Sequence, residues 1–161
     1  IAIKDPTNYN ARANLMWANS LSHNGLTSCG RNFFMSVHQI EHEVSGMFDR
    51  VAHGAGLAVL WPAWAKMAYK ASINRFAKFA YEVMGIEKTD DIETDALKGI
   101  EALKEHFKEI GMPTSMKDLD IDETYFKDLA YNTTFNKTRV LPDIITIGED
   151  ETYKILQLTN E

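Results

Sequence analysis

The stretch from Ala55 to Ala65, Ala-Gly-Leu-Ala-Val-Leu-Trp-Pro-Ala-Trp-Ala, has no polar face before Lys66. It is far shorter than the roughly 20 apolar residues a membrane helix needs. Read as a helix, it has to be covered by protein on nearly every side. A chain built around such an element is a multi-helix bundle, and the rest of the sequence supplies the other helices.

Asp5-Pro6 reads as an N-cap with proline at the first helical position, opening a helix that ends at Asn24-Gly25. Gly25 to Asn32 reads as a loop. Phe34, Val37, Ile40, Val44 and Met47 follow the helical period, which predicts a helix from about Phe33 to Phe48. A turn over Asp49–Ala52 leads to His53-Gly54 and into the apolar helix, with Pro62 expected to bend its first turns. Further helices are predicted over Ile73–Met84, over Asp90–Ile110 with Ile92, Ala96, Ile100, Leu103 and Phe107 inward, from Asp122 to about Asn132, and over Glu149–Leu158. Val140–Ile147 is β-branched but carries Pro142, and reads as loop or a short extended piece. Strand alternation of useful length is missing, so the expected class is all-α, one helical domain over residues 1–161. Trp17, Trp61 and Trp64 read as core, with a place bordering a substrate cleft as the alternative for Trp61 or Trp64.

Charge and composition narrow the function. A net charge of −6 without a basic cluster argues against nucleic-acid binding. One cysteine, Cys29, excludes an internal disulfide and points to the cytoplasm. The start Ile-Ala-Ile-Lys-Asp-Pro is no signal peptide, and it lacks an initiator Met, as a piece of a longer protein would. Gly54-Ala55-Gly56 is not a dinucleotide-binding fingerprint, since the third glycine and a preceding strand are both missing.

Three of the five histidines, His38, His42 and His53, fall within sixteen residues. His38 and His42, four apart, share one helix face, which Ser45, Gly46 and Asp49 extend as a small, polar stripe. Imidazole is a common ligand for first-row metals, and hydrogen-bonded surface histidines are the alternative. A zincin is excluded because Gly46 stands where the second histidine should follow His42-Glu43. A di-iron bundle is excluded because neither Glu41 nor Glu43 has a histidine three residues on. His23, His106 and Cys29 have no partner pattern around them and read as surface residues.

His38-x-x-x-His42, a turn, and His53-Gly54 leading into an apolar helix with Pro62 resemble the C-terminal signature of the iron-containing alcohol dehydrogenases, and within them the bacterial butanol dehydrogenase branch. Ala11-Arg12-Ala13-Asn14-Leu15-Met16-Trp17-Ala18 resembles the helix before that signature, so the resemblance covers essentially the whole chain. It implies the C-terminal helical domain of a dehydroquinate-synthase-like fold, with a separate N-terminal nucleotide-binding domain that this chain lacks. It implies that His38 and His53 are two of four metal ligands, with an Asp and another His upstream of anything matched here. His42 would lie beside the nicotinamide and the substrate. The implied cofactors are Fe2+ or Zn2+ and NADH or NADPH, the substrates small alcohols and aldehydes, and the full-length assembly a homodimer. The rivals are a polyol or lactaldehyde-type dehydrogenase of the same superfamily and a non-enzymatic helical binding module. This chain alone, with two metal ligands and no dinucleotide fingerprint, is expected to be inactive.

Overall fold

The computed structural model describes residues 1–160, which form two packing units, residues 1–34 and the residues from Met35 on. Among the described residues there are seven α-helices and no strand, so the all-α expectation holds.

The first unit is a helix, α1 (Tyr9–His23), followed by a short 3-10 turn at Leu26–Ser28. The helix starts later than Asp5-Pro6 suggested. The Asp5 carboxylate accepts the Thr7 N–H and hydroxyl, forming a local turn that competes with helix entry. Asn8 is the cap instead, its Oδ1 accepting from the Ala11 N–H at 3.0 Å. Gly25, in the left-handed region at φ 86°, follows the helix. Trp17 is not core in this structure: it is 66 % exposed, and no residue of α1 is buried among the described residues.

The second unit begins with α2 (Ser36–Met47) and α3 (His53–Ala68). Helix α2 starts at Ser36 rather than Phe33, because the apolar period marks a face and not a hydrogen-bonded end. The Ser36 hydroxyl donates to the Asp143 carboxylate. Helix α3 is the centre of the unit. From Gly56 to Ala68 no residue is exposed. Val59, Leu60 and Ala63 pack with Ile40 and Val44 of α2 and with Phe126, Leu141 and Ile155, while Ala65 and Ala68 pack with Phe76, Ala77 and Ile100. Pro62 lies buried inside α3, not in its opening turns.

Helices α4 (Ile73–Glu82) and α5 (Ile92–Glu109) form a hairpin against α3. Asp91 caps α5 by accepting from the Glu93 and Thr94 N–H groups, both at 3.1 Å. Ile92, expected inward, is 38 % exposed, since it is the first residue after the cap. Trp61 and Trp64 stack with Phe79 and Phe76 at 5.5 and 5.9 Å between ring centroids, extending the core as expected. Helix α6 (Phe126–Thr133) and α7 (Glu149–Leu158) close the unit. Between them, Leu141 and Ile147 pair in an isolated antiparallel bridge, the short extended piece read from the sequence.

Candidate metal centre

The candidate site is built by the turn between α2 and α3. Helix α2 ends when the Phe48 N–H bonds back to the Val44 carbonyl at 2.9 Å, and the Val51 N–H then bonds to the Phe48 carbonyl at 2.8 Å. Phe48 and Val51 are buried, which anchors the reversal. Ala52 adopts an extended conformation, and α3 starts at His53. The reversal lays the first turn of α3 against α2.

His53 is brought to both histidines of α2. Its ring centroid lies 5.4 Å from that of His38 and 5.3 Å from that of His42. His38 is half-buried, while His42 and His53 are exposed, so the group faces outward from the unit.

Sequence reasoning missed the fourth member. Glu41 is 0 % exposed, and its Oε2 is hydrogen-bonded to Nδ1 of His53. An ionised carboxylate only accepts, so this contact suits a neutral ring with its proton on Nδ1 and its lone pair on Nε2. The other oxygen, Oε1, is buried and has no hydrogen-bond partner among the described residues. Gly56 makes the room: a Cβ there would lie 2.6 Å from both Cγ and Oε1 of Glu41. A signal was available. Glu41 is four residues after Val37 and three before Val44, inside the stripe that the helical period buries.

The donor set fits a divalent first-row metal. Imidazole nitrogens suit such ions, and a carboxylate on the far ring nitrogen is a recurrent support for a metal-bound histidine. Ligand-capable atoms of Glu41, His42 and His53 all lie within 4.8 Å of one another. That tight group contains His42, whereas the resemblance assigns the metal to His38 and His53. Since Glu41 Oε2 is engaged by His53, proximity alone does not make the carboxylate a ligand.

The other singled-out residues have partners close in sequence. His106 lies 3.9 Å from Glu109 on the surface of α5, His23 shares a hydrogen bond with Ser22, and the Cys29 thiol donates to the Gly25 carbonyl. A groove lined by Arg50, Ala52, Ala55, Pro113 and Asp118 lies beside the turn, and none of the three clustered histidines lines it. No helix among the described residues is long and apolar enough to cross a membrane.

An all-helical unit that gathers three imidazoles and a buried carboxylate at one helix reversal defines a candidate metal-binding helical domain. Residues 1–159 match the family model described as the Fe-containing alcohol dehydrogenase family, C-terminal, and the chain belongs to that family. It is 32 % identical over 158 residues to NADH-dependent butanol dehydrogenase A of Clostridium acetobutylicum, covering 98 % of this chain and 40 % of the relative. It is 33 % identical over 122 residues to an NADPH-dependent aldehyde reductase of Escherichia coli, covering 75 % of this chain and 31 % of that protein. The crystal structure of NADH-dependent butanol dehydrogenase A from Thermotoga maritima superimposes with a TM-score of 0.91 at 36 % identity, over 98 % of this chain and 41 % of that one. The chain therefore spans about two fifths of the length of relatives such as the Clostridium enzyme.

Proposed function

We propose that this chain is the metal-binding part of an NAD(P)-linked alcohol dehydrogenase that interconverts small primary alcohols and aldehydes. The observation that carries the reading is the meeting of His38, His42 and His53 at the α2–α3 reversal, in a chain of this family. In this reading His38 and His53 hold the metal, Fe2+ or Zn2+, and the remaining ligands come from outside this chain. Bound there, the metal supplies Lewis acidity that makes an alcohol easier to deprotonate and a carbonyl easier to reduce.

The chain's own residues do the rest. His53 presents Nε2 because Glu41 holds Nδ1. His38 is half-buried beside it, as suits a ligand whose position is held by packing. His42 is exposed on the same face, where a ring nitrogen can take or return the hydroxyl proton and the ring can border the nicotinamide. The names of the relatives cover both NADH-dependent and NADPH-dependent enzymes, so either nicotinamide fits the proposal. A nucleotide-binding domain outside this chain, a homodimeric assembly and a cytoplasmic setting, consistent with the lone Cys29, complete it.

The test is metal content measured beside alcohol oxidation in the full-length protein that carries this chain. His53→Ala should lose the metal and all turnover. His42→Ala should keep the metal and turn over about 10²–10⁴-fold more slowly, as for the loss of a positioned acid–base group. If His42→Ala strips the metal and His38→Ala retains it, the roles are reversed. The 161 residues alone should not oxidise butanol with either cofactor.

A further inference from the structure

Glu41 is expensive to keep. It is completely buried on α2, one carboxylate oxygen lacks a hydrogen-bond partner among the described residues, and α3 has to carry a glycine at position 56 to admit it. Leaving a buried polar atom unpaired costs stability. An apolar side chain of similar size would carry no such desolvation cost. Packing therefore gives no reason for an acid here. Among the hydrogen bonds described, its carboxylate is joined to Nδ1 of His53.

We propose that Glu41 is a positioning residue: seated in the notch left by Gly56, its carboxylate holds Nδ1 of His53 and turns Nε2 outward to a divalent cation. This rests on the reading of His53 as a ligand given above. Three consequences come from one contact. The ring is held in one orientation, the protonated nitrogen is the one facing the protein, and the negative charge behind the ring strengthens Nε2 as a donor. Gly56 acts at one further remove. A methyl group there would push the Glu41 side chain out of line with the ring.

The experiment uses the full-length protein and Zn2+ alone, with affinity read by competition against a chelator and folding by thermal unfolding. Glu41→Met should bind Zn2+ about 10–100-fold more weakly, the usual cost of losing such a support. Its unfolding midpoint should equal or exceed that of the unsubstituted protein. Opposite movement of affinity and stability is something a purely structural acid would not produce. Glu41→Gln keeps the size of the side chain and should fall between the two in affinity. In the metal-free protein, long-range proton–nitrogen spectra should show His53 protonated on Nδ1, and that preference should disappear in Glu41→Met. Unchanged Zn2+ affinity in Glu41→Met overturns the proposal, as does an Nδ1 preference that survives there. If Glu41→Gln loses Zn2+ as completely as His53→Ala, Glu41 is itself a ligand and the positioning role is wrong. If His53→Ala keeps its Zn2+, the assignment of His53 as a ligand fails and takes this inference with it. If His53→Ala loses Zn2+ while Glu41→Met keeps it, only the role of Glu41 falls.

Discussion

Two helix pairs in this chain meet across a glycine, and the glycines do different things. In the α4–α5 hairpin, Gly99 faces Ala80, and a Cβ at 99 would lie 2.7 Å from the Ala80 Cα. Backbone cannot swing aside, so this glycine sets how closely two helices approach. In the α2–α3 pair, Gly56 faces the side chain of Glu41, which can move. The buried acids of the two regions differ in the same way. Asp95 of α5 is fully engaged: Oδ2 accepts from the Tyr81 hydroxyl at 2.7 Å and the Thr89 N–H at 2.8 Å, and Oδ1 from the Thr89 hydroxyl at 2.8 Å. Glu41 is half engaged and leans on a histidine. A satisfied acid ties elements together, whereas one kept with an oxygen unpaired points to chemistry.

Substitution should separate the two glycines. Gly99→Ala should destabilise the protein by about 1–3 kcal/mol, as overpacking does, despite the ~1 kcal/mol gain in helix propensity. Urea unfolding measures it, and an unchanged midpoint would remove the claim that Gly99 sets the α4–α5 distance. Gly56→Ala should shift the same midpoint less, because the obstacle is a side chain, while weakening Zn2+ binding in the full-length protein. Equal losses of stability at the two positions would mean that the two glycines do the same job.

Asp95 should reveal its role through pH. Its carboxyl is held below the ordinary carboxylate range, chiefly by the Thr89 N–H and next by the Tyr81 hydroxyl. A lowered folded-state pKa stabilises the fold fully above the ordinary value of about 3.9 and loses that contribution as pH falls through the lower folded value. Asp95→Asn should therefore melt several degrees lower than the unsubstituted protein at pH 7, with the gap closing in acid. A gap that stays constant down to acid pH would mean the charge is not what Asp95 contributes. The smallest effect is expected on the outer face of α4. Lys78 and Glu82 are paired at 3.8 Å and both exposed, so Lys78→Ala should change stability by no more than about 0.5 kcal/mol. A loss as large as that of Gly99→Ala would mean that surface charge, not close packing, holds the hairpin.

Much of the fold was legible because helices announce their buried faces. The last helix, Glu149–Leu158, matches its reading, and the apolar segment after His53 lies buried as its composition demanded. Ends were harder. Asp5 and Asn8 are both good caps, and which one is used depends on whether the side chain bonds to a turn or to the helix. Trp17 shows the limit for cores: its spacing gives a helix face but not what covers it. At the site, the histidines were visible as residue types, and their gathering needed only a short turn. Glu41 was read against a motif it does not belong to, when its place in the buried stripe was the informative feature. Gly56 could not be read at all, since the need for it comes from the opposite helix.

The hydrogen bond between Ser36 and Asp143 joins residues 107 positions apart. It fastens the first turn of the helix that carries His38, Glu41 and His42 to a loop closed by the Leu141–Ile147 bridge. The α2–α3 pair can form from contacts close in sequence, but this latch has to close a loop of more than a hundred residues, at an entropic cost of about 4 kcal/mol. The first turn of the helix that carries His38 and His42 is therefore held from far along the chain, whereas the reversal that brings His53 to it is held by neighbours in sequence.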